Sequence, residues 1–150
     1  MPDLETRKST ELPHEPGNWP RLFEQYLNAG DLDAVTALYE PEARFVARSG
    51  ETIVGSGPIR KVLAGLITAN THLQCRVLKA VTIDNAAVLY TNFEGTTVDH
   101  SGNTVPIRSK AIEVLRRQPN GDWKLIVGDP NGRETEMQKV RTWPEGTYGP

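Results

Sequence analysis

Two acids near the end of the chain, Glu113 and Asp129, stand within RSKAIEVLRRQPNGDWKLIVGDPNG, residues 108–132. The segment reads as two β-strands folded about Pro119-Asn120-Gly121, with a polar exit at Asp129-Pro130-Asn131-Gly132. A carboxylate inside a mostly apolar strand is costly unless it is partnered or kept for use. Counting antiparallel rungs back from the turn sets Arg117 opposite Trp123 and Glu113 opposite about Val127, with Asp129 one diagonal step away. Two carboxylates in one cavity push their pKa values apart and leave one able to act as acid or base. Alternatively, Glu113 faces solvent beside an Arg or Lys, Asp129 organises the turn before Pro130, and Asn131 caps it.

Other groups could complete such a site. Strand 86–97 offers Tyr90, Asn92 and Glu94 on one face and Leu89, Thr91 and Phe93 on the other. Alternation favours the apolar set against the helices, and a pocket for polar groups favours Asn92. Trp19, Phe23, Tyr26, Tyr39, Phe45 and Phe93 supply aromatic wall or core, with Tyr26 and Trp19 at a helix edge that reaches the mouth. His14, His72 and His100 lack metal-ligand spacing, so no metal is expected. No strand–glycine–helix phosphate signature occurs, and no cofactor is expected. Cys75, the single cysteine, lies in an apolar strand pattern and reads as a core filler.

The elements that must position these groups follow from periodicity. Trp19, Leu22, Phe23, Tyr26 and Leu27 keep one-sided helical spacing, with Asn18 as a start and Gly30 as a stop. Asp31 caps a second short helix with Leu32, Val35, Leu38 and Tyr39 on its apolar face, ended by Pro41. EARFVARSG and ETIVG suit a small hairpin. Pro58 suits the first turn of a third helix carrying Ile59, Val62, Leu63, Leu66 and Ile67. Strands are expected over 72–83, 86–97, 105–117 and 122–129. Residues 1–17 are expected to form a mobile arm, 18–132 one domain, and 133–150, with Trp143, a tail.

At 150 residues the chain suits one domain able to bury a core and keep a pocket. A formal charge of −2 without a basic stripe argues against nucleic acid. No apolar run approaches membrane-spanning length, and the N-terminus lacks a secretory apolar region. One cysteine fits a reducing cytoplasm.

The order of elements, with the words FEQYLNAGDLDAVTALYEPEARFV and GSGPIRKVLAGLI, resembles the nuclear-transport-factor-2-like superfamily over about residues 18–132. That group includes ketosteroid isomerases, scytalone dehydratase, SnoaL-type polyketide cyclases and limonene epoxide hydrolase. The ending EVLRRQPNGDWKLIVGDPNG is similar to a bacterial ketosteroid-isomerase-like, SnoaL-like branch. The resemblance implies an α+β cone-shaped roll, a curved antiparallel sheet wrapped around N-terminal helices in the order ααββαββββ. It also implies a homodimer. The isomerase's general base falls near Ala47, its oxyanion tyrosine at Phe23 and its protonated Asp near Ala111, so that constellation is missing. The hydrolase's Asp-Arg-Asp arrangement is also not evident, since Leu125 follows Trp123-Lys124.

Two functions fit. One is a cofactor-independent isomerase, dehydratase or cyclase acting on a small apolar carbonyl compound. Glu113 or Asp129 would move the proton, and a tyrosine or asparagine would steady negative charge. The other is a non-catalytic ligand-binding or assembly module.

Overall fold

The computed structural model describes residues 10–134. A single 3-10 turn at Pro16–Asn18 leads into helix α1 (Trp19–Asn28), whose buried face carries Trp19, Leu22, Phe23, Tyr26 and Leu27. Asn18 takes the capping position without a side-chain bond. Helix α2 (Leu32–Thr36) starts at Asp31, whose carboxylate accepts from the Ala34 N–H at 3.1 Å.

The second helix ends sooner than its apolar spacing suggests. Tyr39, expected on that helix, opens strand β1 (Tyr39–Val46). Its neighbourhood is captured by the last strand: the Leu125 N–H bonds the Leu38 carbonyl at 2.9 Å. Pro41 is tolerated because it lies where β1 and that strand lose regular register. Strand β2 (Thr52–Val54) closes a hairpin with β1, and helix α3 (Ser56–Thr68) follows from Gly55, which has φ +97°.

Four strands complete the chain: β3 (His72–Ile83), β4 (Ala86–Val98), β5 (Thr104–Arg117) and β6 (Trp123–Asp129). The sheet order is β2-β1-β6-β5-β4-β3. Every neighbouring pair is antiparallel except β1 with β6, which run parallel, so the sheet is mixed rather than wholly antiparallel. The reason is connectivity: β6 returns to lie beside β1 after the chain has travelled through α3 and three long strands. Irregularities at Val77/Lys79 and at Val114/Leu115 bend and twist the sheet around its helices. Gly95 permits one close approach, since a Cβ there would collide with the His72 backbone.

Helix α1 is tied to the start of β3 by polar side chains. The Asn28 carboxamide donates to the Leu73 carbonyl at 2.8 Å and accepts from its N–H at 2.9 Å. Glu24 accepts from the Cys75 N–H at 2.7 Å. These bonds occupy part of an edge strand that would otherwise be bare.

Residues 10–17 do not behave as the expected arm. Leu12 packs on the core, the Pro13 carbonyl accepts from the Trp123 N–H at 2.8 Å, and the Tyr26 hydroxyl donates to the Glu11 carbonyl at 2.6 Å. Backbone carbonyls that can meet fixed donors hold this segment in place. At the other end the packed unit runs past 132, because the Arg133 N–H bonds the Lys110 carbonyl at 3.0 Å. The rest of the expected arm and tail, Trp143 included, lies outside the described residues. Among the described residues no helix is long and apolar enough to cross a membrane.

Candidate functional site

Between the inner face of the sheet and helices α1 and α3 lies a hollow of about 260 Å³. One wall comes from α1 and β4. Trp19 stacks on Phe23 with centroids 5.3 Å apart, and Phe23 meets Phe93 edge-on at 5.6 Å. Phe45 and Tyr39 of β1 close the opposite side, with Tyr39 edge-on to Trp19 at 5.6 Å. Trp19 is pinned in this role, because its Nε1 donates to the Leu38 carbonyl at 3.0 Å.

Glu113 projects into this space from β5. Ala111, Glu113 and Leu115 alternate as the buried side chains of that strand, so the acid shares its face with core residues. It is only 4% exposed. Thr91 of β4 donates its hydroxyl to Glu113 Oε1 at 2.9 Å. Across β6 its partner is Gly128, which also lines the hollow. Burial raises the Glu113 pKa to about 7, opposed by the Thr91 hydrogen bond and by the positive charge of Arg133.

Tyr39 stands near that carboxyl and is 5% exposed. Burial first, and the negative charge of Glu113 second, push its pKa up. Its hydroxyl has no hydrogen-bond partner among the described residues. Its oxygen is not sealed, since among the described residues only the Thr36 hydroxyl is both buried and unpartnered, and Tyr39 lines the hollow. The site therefore holds a neutral O–H donor beside an acid that exchanges its proton near neutrality.

Asp129 lines the same hollow only at its rim and does not stand beside Glu113 in the interior. Counting from Arg117 opposite Trp123 without interruption would put both acids on one face. Between Leu115↔Leu125 and Val114↔Val127 the register slips, leaving Ile126 as the extra residue. Glu113 then pairs with Gly128 and Asp129 with Ile112, and a slip of one residue reverses the face. The Asp129 carboxylate accepts from the Asn131 N–H at 3.3 Å, and its carbonyl from the Gly132 N–H at 3.1 Å. Asp129 is a turn organiser at the rim, and Asn131 stands on the same rim.

Two further expectations are corrected. Tyr26 is not at the mouth, because α1 turns its hydroxyl toward the Glu11 carbonyl. Asn92 pairs with Lys110 on the face away from the helices, and its Oδ1 accepts from Arg133 Nη2 at 2.6 Å. The face of β4 toward the helices carries Leu89, Thr91 and Phe93. Phe23 and Ala111, at the positions of the isomerase's tyrosine and Asp, do line the hollow.

Thr91 and Arg133 escaped the sequence reading as site residues. By alternation Thr91 falls with the apolar Leu89 and Phe93, and that parity places it inside. Arg133 follows a Gly-Pro-rich exit and carries no periodic signal. Cys75 is inert: burial, then Glu24, pushes its thiol up to about 12. Among the described residues no three His, Cys, Asp or Glu side chains gather as a metal site.

Similar folds are known. A ketosteroid isomerase-like protein from Erwinia carotovora atroseptica has 17% identity and a TM-score of 0.66, over 74% of this chain and 88% of its own. A provisionally assigned dehydratase of the NTF2-like family from Streptomyces avermitilis has 18% identity and a TM-score of 0.63, over 76% and 92%. A provisionally assigned calcium/calmodulin-dependent protein kinase II association domain from Xanthomonas campestris has 17% identity and a TM-score of 0.60, over 85% and 96%. At such identities the likeness shows a shared fold and leaves activity open. No curated protein matches the chain at a significant level. The SnoaL-like domain family, by contrast, matches residues 20–126, from the first helix into β6. On the strength of that span, the chain belongs to the SnoaL-like domain family, and it shares its fold with proteins of the NTF2-like group.

Proposed function

We propose that the hollow is a proton-transfer site for a small, mainly apolar carbonyl compound. Glu113 is its acid/base and the Tyr39 hydroxyl its oxyanion donor. The observation that carries this is a carboxyl 4% exposed, facing an apolar hollow with one hydrogen bond and no ion pair within 4 Å among the described residues. As a carboxylate, Glu113 takes a proton from the carbon beside the carbonyl. The electron pair moves onto oxygen, where the Tyr39 O–H meets the developing charge. Returning the proton to another carbon isomerises the compound. If a β-hydroxyl leaves instead, it takes the proton from Glu113 and departs as water; if the enolate carbon attacks a second carbonyl, a ring closes and the same proton quenches the new alkoxide. The hollow is slightly below the roughly 300–1,000 Å³ of common ligand pockets, which favours a compact substrate.

Carbon-13 NMR titration of Glu113 tests the proposal. A midpoint near 7 is expected, and an ordinary one near 4.5 would remove the tuned acid and the proposal with it. Hydrogen exchange of cyclohexanone in D₂O supplies the chemical readout. Wild type should accelerate exchange beside the carbonyl, and Glu113→Gln should not.

A second function, ligand binding or assembly without chemistry, is favoured by one observation. Leu78, Val81 and the 70% exposed Ile83 lie uncovered on β3. A homodimer through the outer sheet face would cover them. Sedimentation should then show a dimer at micromolar concentration, and a monomer refutes it. The single cysteine supports a cytoplasmic setting.

A further inference from the structure

The Arg133 guanidinium reaches two strands at once. Its Nε donates to the Ala111 carbonyl at 3.1 Å and its Nη2 to the Thr91 carbonyl at 2.8 Å. Thr91 and Ala111 are cross-strand partners. Thr91 supplies the hydrogen bond to the Glu113 carboxyl, and Ala111 is the next residue along β5 on the Glu113 face. Asn92 holds the guanidinium from the outer face, and the Arg133 N–H anchors its own backbone to Lys110.

We infer that Arg133 is a positioning residue for Glu113: its guanidinium bridges the Thr91–Ala111 rung and so fixes the strands that carry the acid and its hydrogen-bond donor. The planar fork suits this task, since it can donate to several acceptors in one geometry. Arg133 lies beyond residues 20–126, outside the family match. Its role in catalysis rests on Glu113 being the proton carrier proposed above, but its hold on Glu113 can be measured without turnover.

Electrostatics agrees with the geometry. The titratable groups whose charges couple to Glu113 are Tyr39 on β1, Cys75 on β3 and Arg133. Burial keeps the tyrosine and the thiol neutral at pH 7, so Arg133 is the charged member. Its positive charge favours the carboxylate.

The test is NMR titration of Glu113 in wild type, Arg133→Met, Arg133→Lys and Asn92→Ala, with no ligand present. Arg133→Met should raise the Glu113 midpoint by about 0.5 unit or more, since a cation and the rung it fixes are both lost. Arg133→Lys should fall between wild type and Met, because an ammonium keeps charge and loses the fork. Asn92→Ala should move the midpoint the same way by less, and it decides the matter if Arg133→Met does not fold. Unchanged midpoints in folded Met and Ala variants overturn the inference while leaving Glu113 itself intact. A wild-type midpoint near 4.5 sinks the catalytic proposal instead.

Discussion

Glu113 and Asp129 occupy neighbouring rungs of the β5–β6 ladder and face opposite sides of the sheet. Glu113 is nearly sealed from water, accepts a bond from Thr91, and holds its proton to about 7. Asp129 is partly exposed and serves its own turn through the Asn131 N–H. The two side chains carry the same functional group. What separates their chemistry is strand parity, set here by one extra residue, Ile126.

The widest separation should appear in catalysis. Glu113→Gln should slow cyclohexanone exchange by about 10²–10⁴-fold, the usual contribution of a positioned acid or base. Asp129→Asn should stay within about twofold. Equal losses in both variants would mean that the acids act together after all.

Stability against pH gives the next largest contrast. The native Glu113 keeps its proton to about 7, whereas an unfolded chain releases it near 4.5. Between those values the native state binds more protons, so raising pH destabilises the fold, by roughly 3 kcal/mol over the window. Above 7 this contribution is flat. Urea unfolding should show the decline in wild type and Asp129→Asn and lose it in Glu113→Gln. Parallel profiles for wild type and Glu113→Gln would place the carboxyl in contact with water.

A smaller effect sharpens the interior half of the contrast. Thr91→Val removes the hydrogen bond that favours the carboxylate, and the Glu113 midpoint should rise by about one unit. A fall would show that the hydroxyl serves the protonated form. The smallest effect belongs to the rim: Asp129→Ala should cost about 1 kcal/mol through the lost turn bond and leave the Glu113 midpoint in place. Chemical denaturation beside the same titration checks both halves.

Much of this was legible from residue order. Helices α1 and α3 follow their apolar spacing, and the β5–β6 hairpin follows Asn120-Gly121. Glu113 stood out as an acid among apolar strand residues. Three things were hidden for physical reasons. Tyr39 fits a helical face as well as a strand, and only pairing with the distant β6 decides between them. The slip at Ile126 leaves no mark in composition, yet it reverses Asp129. Residues 10–17 and Arg133 are polar or irregular segments held by hydrogen bonds to carbonyls and N–H groups far along the chain, which periodicity does not report.

The bonds from Asn28 and Glu24 to β3 bear on how this protein avoids self-association of the wrong kind. They seal the strand at Leu73 and Cys75 and stop there. The stretch from Leu78 to Ile83, β-branched in part and uncovered, is where a foreign strand would find lodging, so the earliest steps of aggregation under stress should map to that hairpin tip.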